Sequence, residues 1–202
     1  MKSLPIILVA LAAVSFAAGP KPTTASIGAV TPNWTLEDST GATRSIEEYR
    51  GKFVVLEWTN KNCPFVRKHY ESGNMQATQE KAKEMGAVWL SVISSAPGNQ
   101  GYMSADEINA YRKDMKVKSA ATLIDADGKV GHIYEAKSTP QIAIIDPKGV
   151  LIYNGAIDDK ATPDPADIAG SKNYALAALK EAMAGKPVTV ATSRPYGCHV
   201  QY

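Results

Sequence analysis

Phe53-Val54-Val55-Leu56-Glu57-Trp58-Thr59-Asn60-Lys61-Asn62-Cys63-Pro64-Phe65-Val66-Arg67-Lys68-His69 is the stretch whose reading decides the fold. An apolar, β-branched run ends in a short polar turn, and Cys63-Pro64 then opens a helix. Proline suits the first helical position, where its missing N–H costs nothing. A thiol at that junction faces unpaired backbone N–H groups and the positive end of the helix dipole. Both favour thiolate over thiol, so Cys63 is the candidate nucleophile. The second cysteine, Cys198, stands near the C-terminus in Tyr196-Gly197-Cys198-His199.

Working outward, residues 34–38 and 42–45 read as two strands joined at Ser39-Thr40-Gly41. Residues 53–58 form a buried strand. The helix that starts at Pro64 is interrupted at Gly73-Asn74, resumes over 75–85 and closes at Gly86. Residues 87–94 form the next central strand, and 95–103 a Gly/Pro/Asn loop. Ser104-Ala105-Asp106-Glu107 is a capping box that starts a helix to about residue 115. A strand over 121–124 ends in Asp125-Ala126-Asp127-Gly128. Strands 141–146 and 150–154 flank Pro147-Lys148-Gly149 as a hairpin. A final helix over 173–184 carries Leu176, Leu179 and Met183 on one face and stops at Gly185 and Pro187. The order predicts an α/β fold, a central mixed sheet with helices on both faces and an N-terminal β-hairpin.

The ends of the chain read differently. Lys2, an apolar run over 4–16 and small residues at Ser15 and Ala17 predict a signal peptide over 1–17, too short to span a bilayer. No cysteine lies near the cleavage site, which disfavours a lipid anchor. Residues 18–31 read as a flexible lead-in, 32–185 as one domain, and 186–202 as a tail without periodicity. Export to the periplasm or beyond places both cysteines in an oxidising compartment, as one structural bridge or one redox pair. A net charge of +2 over 202 residues argues against a nucleic-acid surface or a polybasic membrane patch, so neither nucleic acid nor, after signal cleavage, membrane is expected as a partner.

From about Val30 onward the chain resembles the thioredoxin superfamily, specifically its peroxiredoxin-like branch of exported redoxin proteins. Three segments carry the likeness: Trp58 to Val66, with Cys63 and Pro64; Ser138-Thr139-Pro140, with the strand, the Asp146-Pro147-Lys148-Gly149 turn and Tyr153 to Asp159 after it; and Tyr196-Gly197-Cys198. Cys63 matches the first cysteine of the thioredoxin Cys-x-x-Cys motif and Val66 replaces the second. Thr139-Pro140 matches the cis-proline turn beside the active cysteine. The resemblance implies a thiol-based oxidoreductase, acting by thiol–disulfide exchange or peroxide reduction, with no cofactor. Its substrate would be a peroxide or protein disulfide and its reductant an external thiol. Cys63 would be the nucleophile and Cys198 the resolving cysteine, with Thr59, Asn60, Pro64, Thr139 and Pro140 in support and Phe65 and Trp58 packing around the site. Where peroxiredoxins carry Thr or Ser three residues before the cysteine, this chain has Asn60, with Thr59 one place early; Leu56 stands at the position of an upstream proline.

Two other readings stay open. Cys63, Cys198 and either His199 or His69 would suit Cu(I), a soft ion for thiolate and imidazole, as in copper chaperones of the Sco type, although their closely spaced cysteine pair is missing. A non-catalytic binding domain would instead keep a structural Cys63–Cys198 bridge. That bridge closes a loop of about 130 residues, for which the chain-entropy model gives on the order of 4–5 kcal/mol. His69, His132 and His199 otherwise read as surface or loop residues. The acidic pairs Asp125/Asp127 and Asp158/Asp159 suggest a calcium site, but the first lacks the remaining ligands of an EF-hand loop and reads as a turn.

Overall fold

The computed structural model describes residues 24–202. The expected signal peptide and its cleavage site lie outside the described residues. Nine strands and five α-helices follow: β1 Thr35–Asp38, β2 Thr43–Ser45, β3 Val54–Trp58, α1 Pro64–Glu71, α2 Asn74–Glu84, β4 Val88–Ile93, α3 Ala105–Asp114, β5 Ala121–Ile124, α4 Lys129–Ile133, β6 Ser138–Thr139, β7 Gln141–Ile145, β8 Leu151–Gly155, α5 Tyr174–Met183 and β9 Cys198–His199. Seven strands make one sheet in the order β2-β1-β5-β4-β3-β7-β8. β3 runs parallel to β4 and β4 to β5, while β7 and β8 return antiparallel on one side and β1 and β2 on the other. This is the mixed sheet the sequence predicts, with the N-terminal hairpin joined to its edge through β5.

Alternation along β3 builds two cores. Val54, Leu56 and Trp58 face one layer with Leu90, Val92, Leu123 and Tyr134. Val55 faces the other with Val66 and Tyr70 of α1, Met75 and Ala82 of α2, and Ala178 and Leu179 of α5. Helices lie on both faces, as expected, but unequally. α4, which sequence periodicity did not reveal, is one short helix on the Trp58 face. Its first N–H groups are capped by the buried Asp125, which accepts from Val130 N at 2.9 Å and Gly131 N at 2.8 Å. Asp125 is thus a turn and cap residue, as the sequence reading held.

One expectation needs correction. The end of the expected flexible lead-in is bound to the sheet: Ile27 bridges Leu151, Val30 bridges Val150, and Thr31 is buried. The tail, read as lacking periodicity, is held along its length. Residue 191 accepts from Asn154 N at 3.0 Å, Ser193 Oγ accepts from Ala156 N at 2.9 Å, and β9 pairs with β6 in register Thr139↔Cys198 and Ser138↔His199. Its last residues hold too, with Tyr202 stacked on His132 at 4.1 Å and donating to Ala136 O at 2.6 Å. The tail has no periodicity because it is a strap whose polar atoms meet backbone groups one by one, a pattern that leaves no hydrophobic repeat.

Candidate active site at the Cys63–Cys198 pair

β3 ends at Trp58, and the next residues turn sharply into α1. Asn60 makes the turn: its Oδ1 accepts from Asn62 N at 2.9 Å and its Nδ2 donates to Gln100 O at 3.3 Å. Its side chain is therefore spent on loop shape. Thr59 points inward beside Tyr70, Ser91 and Tyr111. Pro64 occupies the first turn, and Cys63 is the residue that caps α1. Thr139 and Pro140, joined by a cis peptide bond, come in from β6. The structure therefore brings together Cys63, Pro64, Thr139, Pro140 and Cys198, while Asn60 serves the turn and Thr59 is buried beside Tyr70, Ser91 and Tyr111.

The Cys63 sulfur is fully buried. Its S–H donates to the Thr139 carbonyl at 3.1 Å, and Cys198 N–H donates to Cys63 Sγ at 3.4 Å. Both cysteines are free thiols in this state. Burial pushes the Cys63 thiol up, and a carbonyl acceptor also favours the protonated form. Opposing them, the Cys198 side chain, the Thr139 hydroxyl and the N–H groups of Cys198 and Val66 stabilise the thiolate, and the balance lies below the ordinary thiol value. Cys198 goes the other way: burial and the neighbouring Cys63 sulfur hold it well above that value. Ionisation of the pair is thereby polarised toward Cys63.

The strap is pinned next to the cysteines by a buried polar chain. Asn74 Nδ2 donates to His69 Nδ1 at 2.7 Å, which leaves the proton on Nε2. His69 Nε2 lies 3.3 Å from Tyr196 Oη, and Tyr196 donates to Asp158. Burial drives His69 down to about 4, and Asp158 at 3.9 Å offsets this only in part. Burial and the Asp158 carboxylate keep Tyr196 firmly protonated. Lys68 supports the same corner, donating to Lys160 O at 3.0 Å. His69 is thus no surface residue, contrary to its sequence reading; both ring nitrogens are engaged in holding the strap. His132 and His199 are exposed, as expected. Among the described residues, no group of three or more His, Cys, Asp or Glu side chains is placed to hold a metal ion.

Phe65 packs on Tyr196, ring centroids 5.7 Å apart, and so lies at the site as expected. Trp58 does not. It points to the opposite sheet face, against Tyr134 and donating to Ser94 Oγ at 3.1 Å, because the strand's period of two puts residues 56 and 58 away from α1. The residue beneath α1 is Glu57, which sequence reasoning missed. It is fully buried and accepts from Tyr70 at 2.8 Å, Gln79 at 3.0 Å, Trp89 at 2.7 Å and Ser91 at 3.3 Å. Burial raises its carboxyl to about 7, against those four donors. The available signal was a lone acid inside an otherwise apolar strand.

Comparison with solved structures places this architecture. An uncharacterised conserved protein from Geobacillus kaustophilus superposes with a TM-score of 0.74 at 19% identity, over 88% of this chain and 92% of that one. A hypothetical protein from Sinorhizobium meliloti gives 0.74 at 20% identity, over 89% and 96%. The thioredoxin domain of a thiol-disulfide oxidoreductase from Bacteroides vulgatus gives 0.50 at 21% identity, over 65% of this chain and 89% of that one. These are likenesses of fold, and the fold is thioredoxin-like. No match is found among curated proteins. The strap with Cys198 lies beyond the stretch that a family model matches, residues 27–154, which contain Cys63 and the Thr139–Pro140 turn; on that match the chain belongs to the AhpC/TSA family.

Proposed function

We propose that this protein is an exported thiol–disulfide oxidoreductase in which Cys63 is the nucleophile and Cys198 the resolving thiol. The observation that carries the reading is the strap itself: it delivers Cys198 to Cys63 across 135 residues of sequence, with its backbone N–H on the Cys63 sulfur at 3.4 Å. The Cys63 thiolate attacks one sulfur of a substrate disulfide and expels the other as thiolate. Cys198 then loses its proton and attacks Cys63 Sγ, releasing the second substrate sulfur and closing a Cys63–Cys198 disulfide. The substrate gains the two electrons that the protein dithiol gives up, and an external thiol restores the dithiol.

Disulfide exchange is preferred over peroxide reduction because of Asn60. Where a hydroxyl would stand this chain has an amide, and both ends of that amide are committed to Asn62 and Gln100, so Asn60 offers no donor to a peroxide oxygen at Cys63. The test compares the two substrates on reduced protein. A model disulfide should be consumed with loss of both thiols, and much faster than hydrogen peroxide. Cys63→Ser should abolish the reaction, while Cys198→Ser should stop at a mixed disulfide on Cys63. Faster turnover of peroxide, or equal reaction in the Cys63→Ser protein, would refute this assignment.

A further inference from the structure

Beside the strap lies a half-open cleft of about 810 Å³, within the range of small-molecule sites. Its walls come from parts of the chain far apart in sequence. Lys137 and Ser138 belong to the body of the fold, at the start of β6, while Arg194, Tyr196, Gly197 and His199 belong to the strap. Three basic side chains, Lys137, Arg194 and His199, therefore line one space. No Asp or Glu lines it; Glu135 lines a separate hollow that shares Lys137. All three are exposed, and none makes an ion pair among the described residues. Ser138 is only 7% exposed, and its hydroxyl has no hydrogen-bond partner. Unpaired cations and an unmet hydroxyl around one hollow suit an oxyanion, whose several acceptor atoms can be shared among them.

The pairing that shapes this cleft also covers Cys63. β9 lies on β6, and beneath it Cys63 is fully buried, with Cys198 N–H on its sulfur at 3.4 Å. We propose that the cleft binds a small polyvalent oxyanion, a molecule bearing phosphate or several carboxylates, and that the bound anion clamps the strap to the body and withholds Cys63 from attack. Lys137 holds the anion from the body and Arg194 holds it from the strap, so lifting the strap divides the site. A ligand that binds only the seated state multiplies that state's population by one plus the ratio of free ligand to its dissociation constant. Cys63 reacts through the lifted state, and its reactivity falls by the same factor. The clamp acts on access to the sulfur and does not depend on the reaction that Cys63 performs.

The test uses the full reduced chain at low ionic strength with two probes, pyrophosphate and citrate. Calorimetry gives the dissociation constant of each. The alkylating agent is iodoacetamide, which is neutral and does not compete for the cleft, at concentrations where the rate is first order in reagent. With a probe at about ten times its dissociation constant, alkylation of Cys63, read from labelled peptides, should slow about tenfold. Added sodium chloride should weaken the binding. Tighter binding of pyrophosphate would assign a phosphate ligand, and tighter binding of citrate a polycarboxylate; either supports the site. Lys137→Gln, Arg194→Gln removes two exposed, unpaired cations. That protein should bind both probes about tenfold more weakly and lose the protection. Both probes also stabilise folded proteins by exclusion from the surface, an effect that does not saturate and that the double substitution leaves in place. No binding of either probe, equal saturable protection in the substituted protein, or binding that leaves Cys63 alkylation unchanged would overturn the proposal.

Discussion

Gly197→Ala is expected to uncover Cys63. Gly197 sits at φ +121°, a backbone conformation that L side chains rarely adopt. A Cβ there would lie 1.9 Å from the Thr139 carbonyl oxygen, a backbone atom that has no room to yield. Strain of this kind costs on the order of 1–3 kcal/mol, which corresponds to a roughly 5- to 150-fold larger population with the strap lifted. The rate of Cys63 alkylation, measured site by site from labelled peptides, should rise by that factor, while the main sheet and its melting temperature change little. The same substitution should slow closure of the Cys63–Cys198 disulfide, because β9 no longer holds its register on β6. An alkylation rate equal to wild type would mean that the strap does not gate the sulfur.

The second large effect concerns pH and stability. Glu57 has an ordinary value of 4.5 and titrates at about 7 when folded. Below 4.5 the carboxyl is protonated in both states. Between 4.5 and 7 the unfolded chain has released the proton and the folded chain has not, so Glu57 makes stability fall as pH rises through that window, by about 3 kcal/mol in all. His69 acts in the opposite sense. Its folded value is about 4 against 6.5, so between pH 4 and 6.5 the unfolded chain binds the extra proton and stability rises with pH. The two slopes nearly cancel where they overlap. Glu57→Gln removes one of them. Denaturant unfolding of the variant should show stability rising with pH between 4.5 and 6.5 more steeply than wild type, and the difference between the two proteins should total about 3 kcal/mol by pH 7. Parallel pH profiles would show that Glu57 is not a buried acid with a raised value.

The contrast between Glu57 and Cys63 shows what the chain discloses directly. Cys63 was legible because its chemistry is local: a strand, a turn, a cysteine and an N1 proline are contiguous, and the helix that follows is dictated by those neighbours. The mixed sheet was legible for a similar reason, since β3, β4, β5, β7 and β8 each carry their own apolar run or alternation. Where the meaning of a residue depends on a distant partner, local reading failed. His69 read as a surface or loop residue because its partners, Asn74, Tyr196 and Asp158, come from three other segments of the chain. Trp58 looked like a site residue by adjacency, yet the strand's pleat turns it to the far face. α4 was hidden because its five residues are too short for a helical period and its cap, Asp125, stands where a turn was expected. Cys198 was tied to Cys63 by the presence of just two cysteines in a chain read as exported and by family resemblance, not by any local pattern. The strap that joins them has no hydrophobic repeat and is specified by Gly197, Ser193 and Tyr196 one contact at a time.

The claim that these two sulfurs form one working pair is tested most directly by non-reducing peptide mapping of the purified chain after mild oxidation. The account predicts a single intrachain Cys63–Cys198 linkage that appears as both free thiols disappear and that a thiol reductant reverses. Two free thiols after oxidation, or linkage only between chains, would contradict it.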